Sequence, residues 1–299
     1  MIKQPPHLKK GDKVAIVCPA KKLKKPITAA IALLKEWGLD VVLGQTVTAD
    51  YYQFAGNDDL RTSDLQTFLD DTNIKAIISG RGGYGTNRII DRLDFSTFID
   101  HPKWVVGFSD ITVLLSHILT ACGVQSIHGQ MPGTFEDATS ESLESLKKAL
   151  FGEEISYTYS PSFQGKPGEA EGILTGGNLS ILVSLEGTNS APDYTDKILF
   201  LEDVGEYEYA IDRMMRTLDR TGKLKDLKGL IIGAFNEIKP EDIPFGQSAE
   251  EVIWEIVKDY GYPVCFEFPT GHIENNMAMT IGKNVKLSVD QIQTTLDFN

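Results

Sequence analysis

The sequence predicts a two-domain α/β protein, and three observations carry that reading. At 299 residues the chain exceeds the size at which a single hydrophobic core usually keeps growing. Apolar runs that read as strands alternate with helical patterns through residue 152, which implies a mostly parallel sheet with helices on both faces. The alternation then breaks at "SPSFQGKPGEAEG" (160–172), with its two prolines and three glycines, and the remainder of the chain is mixed with more strand character.

The first element, "VAIVCPA" (14–20), is a buried strand, and "PITAAIALLKEWG" (26–38) is a helix with Pro26 at its start and Gly38 at its end. "DVVLGQTV" (40–47) is a second strand, 58–70 is helical, and "KAIISG" (75–80) is a third strand. "NRIIDRL" (87–93) reads as a short helix and "WVVGF" (104–108) as a fourth strand. Apolar residues at 111, 114, 115, 118 and 119 then make a helix over 111–121. "VQSIHG" (124–129) is a further strand, and "SLESLKKALFG" (142–152) is the helix that closes the region. Beyond the break come the strand "KILFLED" (197–203), the helix "YEYAIDRMMRTLDRTG" (207–222) and the strand "KGLIIGAF" (228–235). Ser248 and Glu251 form a capping box for the helix "SAEEVIWEIVKDYG", and 264–290 is strand-like pieces with turns. The expected division is a first domain over 1–155, a linker over 156–172 and a second domain over 173–299.

A hydrophobic fraction of 41% with 24% charged residues fits a soluble globular protein with ample core. The formal net charge of -13 argues against a nucleic-acid partner or an anionic membrane surface, and the basic "KKLKKP" at 21–26 is too short to reverse it. Cys18, Cys122 and Cys265 are far apart and odd in number, which suggests free thiols in a reducing compartment. The N-terminal segment has no apolar h-region, and no apolar run approaches the roughly 20 residues of a membrane span. The cytoplasm is the expected location.

Several residues could carry chemistry. "GRGGYG" (80–85) matches G-x-G-x-x-G, but it follows the third strand and lacks an acidic residue at the end of the next, so the dinucleotide reading is disfavoured. Glycines that bring backbone N–H groups to a reacting oxygen, or a plain tight turn, are the alternatives. Ser109, in "GFSDI", sits on a strand-to-helix turn that half matches the nucleophile elbow, with Ile111 where the second glycine would stand; a helix cap is the plainer reading. The five histidines are His7, His101, His117, His128 and His272. His128 ends a strand, and His272 lies in a loop rich in glycine and asparagine, where function concentrates. Glu202 closes a buried strand, with Asp203 beside it as a competitor. No metal site is expected: "HIE" at 272–274 offers two ligands without an obvious third, and no H-E-x-x-H or paired cysteines occur.

Six segments, in order, resemble the LD-carboxypeptidase family, serine peptidases that include the muramoyl-tetrapeptide carboxypeptidases. They are "SGRGGYGTNRIIDRLD" (79–94), "GFSDITVLL" (107–115), "HGQMP" (128–132), "LTGGNLSILVSLEGT" (174–188), "ILFLEDVGEYEYAIDRMMRTL" (198–218) and "PTGHIENN" (269–276). The resemblance implies a flavodoxin-like first domain, a smaller strand-rich second domain and an active site between them. It implies a Ser109–His272–Glu202 triad as nucleophile, base and acid, with the backbone N–H groups of Gly83 and Asp110 as oxyanion hole. The implied reaction releases a C-terminal D-amino acid from an L-centre, as in cleavage of D-alanine from a cytoplasmic murein tetrapeptide during cell-wall recycling, with no cofactor.

A sister branch resembles microcin C self-immunity peptidases, which carry a tryptophan after the "GGNL" helix; "VSLEGTNSAPDY" has none, which favours the cell-wall branch. A non-enzymatic two-domain binding protein is the rival from another class. Arg81 is the expected partner of the substrate's terminal carboxylate, with Arg88 and Arg213 as competitors, and Asn178 is the other expected substrate contact. The expected partners are a small peptide and a second copy of the chain, with neither nucleic acid nor membrane.

Overall fold

The computed structural model describes residues 2–298. Two sheets organise the chain. The first uses β1 (Lys13–Val17), β2 (Asp40–Leu43), β3 (Ile74–Ser79), β4 (Trp104–Gly107) and β5 (Ser126–His128) in the spatial order β2-β1-β3-β4-β5, all pairs parallel. That is the flavodoxin-like order, in which ligands bind outside the carboxyl ends of the strands. Helices α1 (Thr28–Glu36), α2 (Asp58–Asp70), α3 (Ser96–Asp100), α4 (Thr112–His117) and α5 (Ser140–Phe151) connect and cover these strands. The strands β1, β3 and β4 are buried almost throughout, as expected of a sheet covered on both faces.

The second sheet is mixed. Its strands are β6 (Ile155–Tyr159), β7 (Gly168–Asn178), β8 (Lys197–Val204), β9 (Gly229–Asn236), β10 (Val264–Cys265), β12 (Asn284–Val289) and β13 (Thr294–Phe298), in the order β10-β9-β8-β7-β12-β13-β6. The run from β10 to β7 is parallel and the run from β7 to β6 antiparallel. Helices α6 (Leu179–Ser184), α7 (Glu208–Arg220) and α8 (Ala249–Val257) belong to this half. The expected capping box of α8 is present, with Glu251 N donating to Ser248 Oγ at 3.3 Å and Ser248 N to Glu251 Oε2 at 2.8 Å.

The structure departs from the sequence reading at five places. The stretch expected as a linker, 156–172, supplies most of β6 and the start of β7; "ISYTY" places Ile155 and Tyr157 inward and Ser156 and Thr158 outward, an alternation that the neighbouring glycines and prolines mask. Residues Met279–Ile281 form β11, which leaves the second half and pairs antiparallel with β5, covering the edge of the first sheet. "NRIIDRL" is two 3₁₀ turns, and "DVVLGQTV" is strand only as far as Leu43, followed by a 3₁₀ turn at Gln45–Val47. The helix expected over 111–121 is composite: a 3₁₀ turn at Ser109–Ile111, α4, and a π-helical turn at Ile118–Cys122.

One buried cation ties the loops at the carboxyl end of the first sheet. Arg61, on α2, has no solvent exposure. Its guanidinium donates to the carbonyls of Pro19, after β1, and Gly85, in the glycine loop after β3, as well as to Gly56 O and the Asp58 carboxylate. Its position four residues before Leu65 puts it on the apolar face of α2. Arg61→Leu should therefore strand buried carbonyls and lower the unfolding free energy by about 3 kcal/mol in a urea titration. A loss below about 1 kcal/mol, the scale of one ordinary hydrogen bond, would show that Arg61 does not brace the loops.

Candidate active site

The glycine loop, the serine turn and the histidine loop converge where the two sheets meet. Ser109 follows β4 with φ of 63°, one of five left-handed non-glycine residues among those described. That conformation costs a serine about 1–3 kcal/mol and is kept where the surroundings over-determine it. The following residue supplies part of the constraint. Asp110 is buried, and its Oδ2 accepts the Thr86 N–H at 2.9 Å, pinning the serine turn to the glycine loop. Gly82 lies against the serine: a Cβ there would stand 2.9 Å from Ser109 Cβ and 3.2 Å from its Oγ. Gly83, at φ of 113°, comes next, and neither its N–H nor that of Asp110 donates to another described backbone group.

Glu202 lies near the carboxyl end of β8, with no solvent exposure. Its Oε2 accepts from His272 Nδ1 at 2.7 Å, and because a carboxylate only accepts, Nδ1 carries the proton. That leaves Nε2 as the free ring nitrogen, on a side chain that lines the cavity. Gly271 permits this approach, since a Cβ there would stand 2.9 Å from Glu202 Oε2. Asn276 Oδ1 folds the loop by accepting Gly271 N at 2.8 Å and Thr270 Oγ1 at 3.1 Å, and Asn236 Nδ2 donates to His272 O at 2.7 Å. The His272 ring stands edge-on to Phe108, the residue before Ser109, with centroids 4.9 Å apart. Glu202 and His272 are thus hydrogen-bonded, and Ser109 adjoins them through Phe108 without a hydrogen bond to the imidazole.

Burial opposes charge on His272, but the Glu202 carboxylate, with Asp203 and Glu237 beyond it, outweighs burial and raises its pKa above 6.5. Burial likewise opposes charge on Glu202, and the His272 imidazole outweighs it, holding the carboxyl below 4.5. Asp203 differs: burial and the adjacent Glu202 charge push it up to about 6.

Asn178 and Asp203 form a separate brace. Asn178 caps α6 by accepting from Ile181 N and Ser180 Oγ, and donates to Asp203 Oδ1 at 2.9 Å. Its side chain is buried and makes these bonds within the chain. Arg81 lines a cavity of about 1020 Å³ together with Lys24, Phe108, Asn236, His272 and Glu274, and gives one bond to Lys22 O at 2.9 Å. Its competitors are engaged elsewhere, Arg88 by Asp58 and Arg213 over the Tyr209 ring. Among the described residues no three His, Cys, Asp or Glu side chains are grouped to hold a metal ion. Sequence reasoning missed Arg61, Asn236 and the folding role of Asn276. Asn276 stood inside the quoted "PTGHIENN", and Asn236 ends a strand beside the cavity.

A flavodoxin-like sheet joined to a mixed sheet, with a strained serine turn and a buried carboxylate–imidazole pair at the junction, defines a class of two-domain hydrolase. The LD-carboxypeptidase N-terminal domain matches residues 14–129 and the LD-carboxypeptidase C-terminal domain residues 171–287; the chain belongs to this family. It is similar to the probable murein peptide carboxypeptidase of Bacillus subtilis (strain 168), at 36% identity over 95% of this chain and 91% of the relative. It is also similar to the crystal structure of muramoyltetrapeptide carboxypeptidase from Oxalobacter formigenes, with a TM-score of 0.87 and 30% identity, covering 96% of this chain and 98% of that one. The fold, at 20% identity, is shared with MccF in complex with glutamyl sulfamoyl guanosine, with a TM-score of 0.88 over 99% of this chain and 98% of that one.

The two imidazoles nearest the junction should titrate oppositely. His272 should hold its proton to a pH above 6.5, and Glu202→Gln, which removes the largest attraction and leaves the burial and the weaker pull of Asp203 and Glu237, should lower the midpoint. His128, fully buried, should stay neutral down to about pH 4. Imidazole NMR across this range checks both, and a His272 midpoint unmoved by Glu202→Gln would contradict the electrostatics described. The charged pair stabilises the fold fully between the ordinary values of 4.5 and 6.5. Glu202's share fades as pH falls through its lowered midpoint, and His272's as pH rises through its raised one.

Proposed function

We propose that this chain is a serine carboxypeptidase that cleaves murein tetrapeptides, releasing a C-terminal D-alanine from an L-centre. The observation that carries the reading is the buried Glu202–His272 pair at 2.7 Å, set beside the left-handed Ser109 turn. The relatives named as murein peptide carboxypeptidases supply the substrate class. The microcin-type alternative rests on a likeness of fold, and the stretch 183–194 carries no tryptophan.

In this reading His272 Nε2 takes the Ser109 hydroxyl proton as Oγ attacks the scissile carbonyl. Substrate binding brings the two into hydrogen-bond contact, as is common for sites that are loose before they are filled. Glu202 fixes the Nδ1–H tautomer and stabilises the imidazolium. The N–H groups of Gly83 and Asp110 receive the tetrahedral oxyanion, each such donor being worth about 3 kcal/mol. His272 then returns the proton to the departing D-alanine amine, and water hydrolyses the acyl-enzyme by the same route in reverse. The three cysteines are buried free thiols, in keeping with a reducing cytoplasm, and a second copy of the chain is kept as the expected partner.

Arg81 completes the proposal. A carboxypeptidase must distinguish a free C-terminus from an amide, and a guanidinium within the glycine loop, with one hydrogen bond among the described residues, is suited to receive it.

Ser109→Ala should keep the fold and lose about a million-fold in turnover, measured as D-alanine release. A folded variant retaining a few per cent of activity would defeat the mechanism. The acid limb of kcat/KM should have its midpoint above pH 6.5, because the raised His272 must lose its proton to act as base. Arg81→Ala should cost about 1.5–3 kcal/mol of transition-state binding on the free-acid peptide and little on its C-terminal amide. Equal losses on both substrates would assign Arg81 to bracing the loop.

A further inference from the structure

His128 is a second imidazole at the junction, and the chemistry above does not use it. It ends β5, opposite Gly107 of β4 and Met279 of β11, and has no solvent exposure. Its ring is T-shaped to Phe200 at 4.8 Å and tilted to Phe108 at 5.8 Å. Phe200 precedes Glu202 by two residues on β8, so both side chains leave the strand on one face. Phe108 also packs on His272. His128 is therefore walled in beside the carboxylate–imidazole pair and shut off from solvent.

Three fully buried residues at this place carry polar atoms without hydrogen-bond partners: both ring nitrogens of His128, Oε1 of Glu202 and Nδ2 of Asn276. An orphaned buried polar atom costs about 1–3 kcal/mol, so three such residues in one spot call for an account. Their chemistry is complementary. Glu202 Oε1 can only accept. Asn276 can only donate, because its Oδ1 is taken by Gly271 N and Thr270 Oγ1. A neutral imidazole has one donor and one acceptor nitrogen. The Glu202 carboxylate is near enough to favour a proton on His128, and the Asn276 amide lies beside the His128 ring without reaching hydrogen-bond geometry.

We propose that His128 is a positioning residue of the active site, accepting from Asn276 Nδ2 with one ring nitrogen and donating to Glu202 Oε1 with the other. The donation holds the second oxygen of Glu202, so that Oε2 stays aimed at His272 Nδ1. The inference rests on the reading of Glu202 and His272 as acid and base. The titratable groups facing His128 are Glu202 and His272; those facing His272 are Glu202, Asp203, Glu237 and His128 itself. Burial keeps His128 neutral, so it orients the carboxylate without competing for it as a cation.

The test compares His128→Phe, which keeps an aromatic ring and removes both nitrogens, with His128→Asn and His128→Gln, whose amides place a donor near Nδ1 or Nε2. On a murein tetrapeptide, His128→Phe should lower kcat about ten- to a hundred-fold, the scale for losing a partner that orients a site ligand, with KM nearly unchanged. With Oε1 bare, the Glu202–His272 pair should hold its proton more tightly and move the acid limb of kcat/KM upward by about half a pH unit. One of the two amide variants should restore both. Wild-type kcat and acid limb in His128→Phe, or an equal loss in all three variants with the acid limb unmoved, overturns the proposal. Ser109→Ala, assayed alongside, separates the two failures: if it stays active, the serine reading falls whatever the His128 variants do. Should no His128 variant fold, ¹⁵N NMR of the native protein decides. His128 should show a single neutral tautomer whose N–H resonance moves on Glu202→Gln, and an unmoved resonance overturns the assignment.

Discussion

A carboxylate with no contact with solvent has to find its compensation inside the protein, and much of this structure can be understood as supplying it to Glu202. Burying an unpaired charge costs several kcal/mol, whereas a paired and hydrogen-bonded one is tolerable. The compensation comes from a loop seventy residues further on, which must pass within van der Waals reach of β8. That requirement explains Gly271 under His272, the Asn276 side chain that folds the loop back on itself, and the Asn236 amide that holds its carbonyl. The same loop fixes the halves against each other, since Glu274 O accepts from Thr139 N and Gln130 Nε2 of the first half. One electrostatic debt thus sets the position of the His272 loop and part of the contact between the two sheets.

The serine side answers a different constraint. Strain at Ser109 is held by Asp110 through Thr86, and the loop carrying Thr86 is held by Arg61 through Gly85. A residue facing outward on α2 could not do this, and an arginine is suited because its planar fork reaches several carbonyls at once. The glycine loop, which follows β3, is thereby shaped by buried polar bonds to Arg61 and Asp110.

What could be read from the chain tracked the range of the interactions involved. The five strands of the first sheet and the long helices were legible, because apolar period and caps are local; α8 and its Ser248–Glu251 box are an example. The strand β6 was lost because a nearby cluster of prolines and glycines outweighed a five-residue alternation, and β11 because three residues carry too little pattern. Ser109, Glu202 and His272 were legible as a set only through the resemblance to a family. They arise from β4, β8 and a loop after β10, and nothing in their spacing joins them. The bonds of Asn178 to Ile181 N and Asp203 were not legible, because its partners meet it only in the folded chain. Arg61 and Asn276 were passed over since a polar residue declares its burial only when its partners are seen.

The short strand at Met279–Ile281 has a consequence for how the chain is made. It completes the edge of the first sheet from a segment that lies beyond most of the second sheet in the chain, while β6 is paired by β13 at Thr294–Phe298. During synthesis the leading half therefore emerges with an uncovered β5 edge and an unpartnered β6, both templates for mispairing, until Met279–Ile281 and Thr294–Phe298 have left the ribosome. A truncation between the two halves would expose the β5 ladder that the late strand β11 covers.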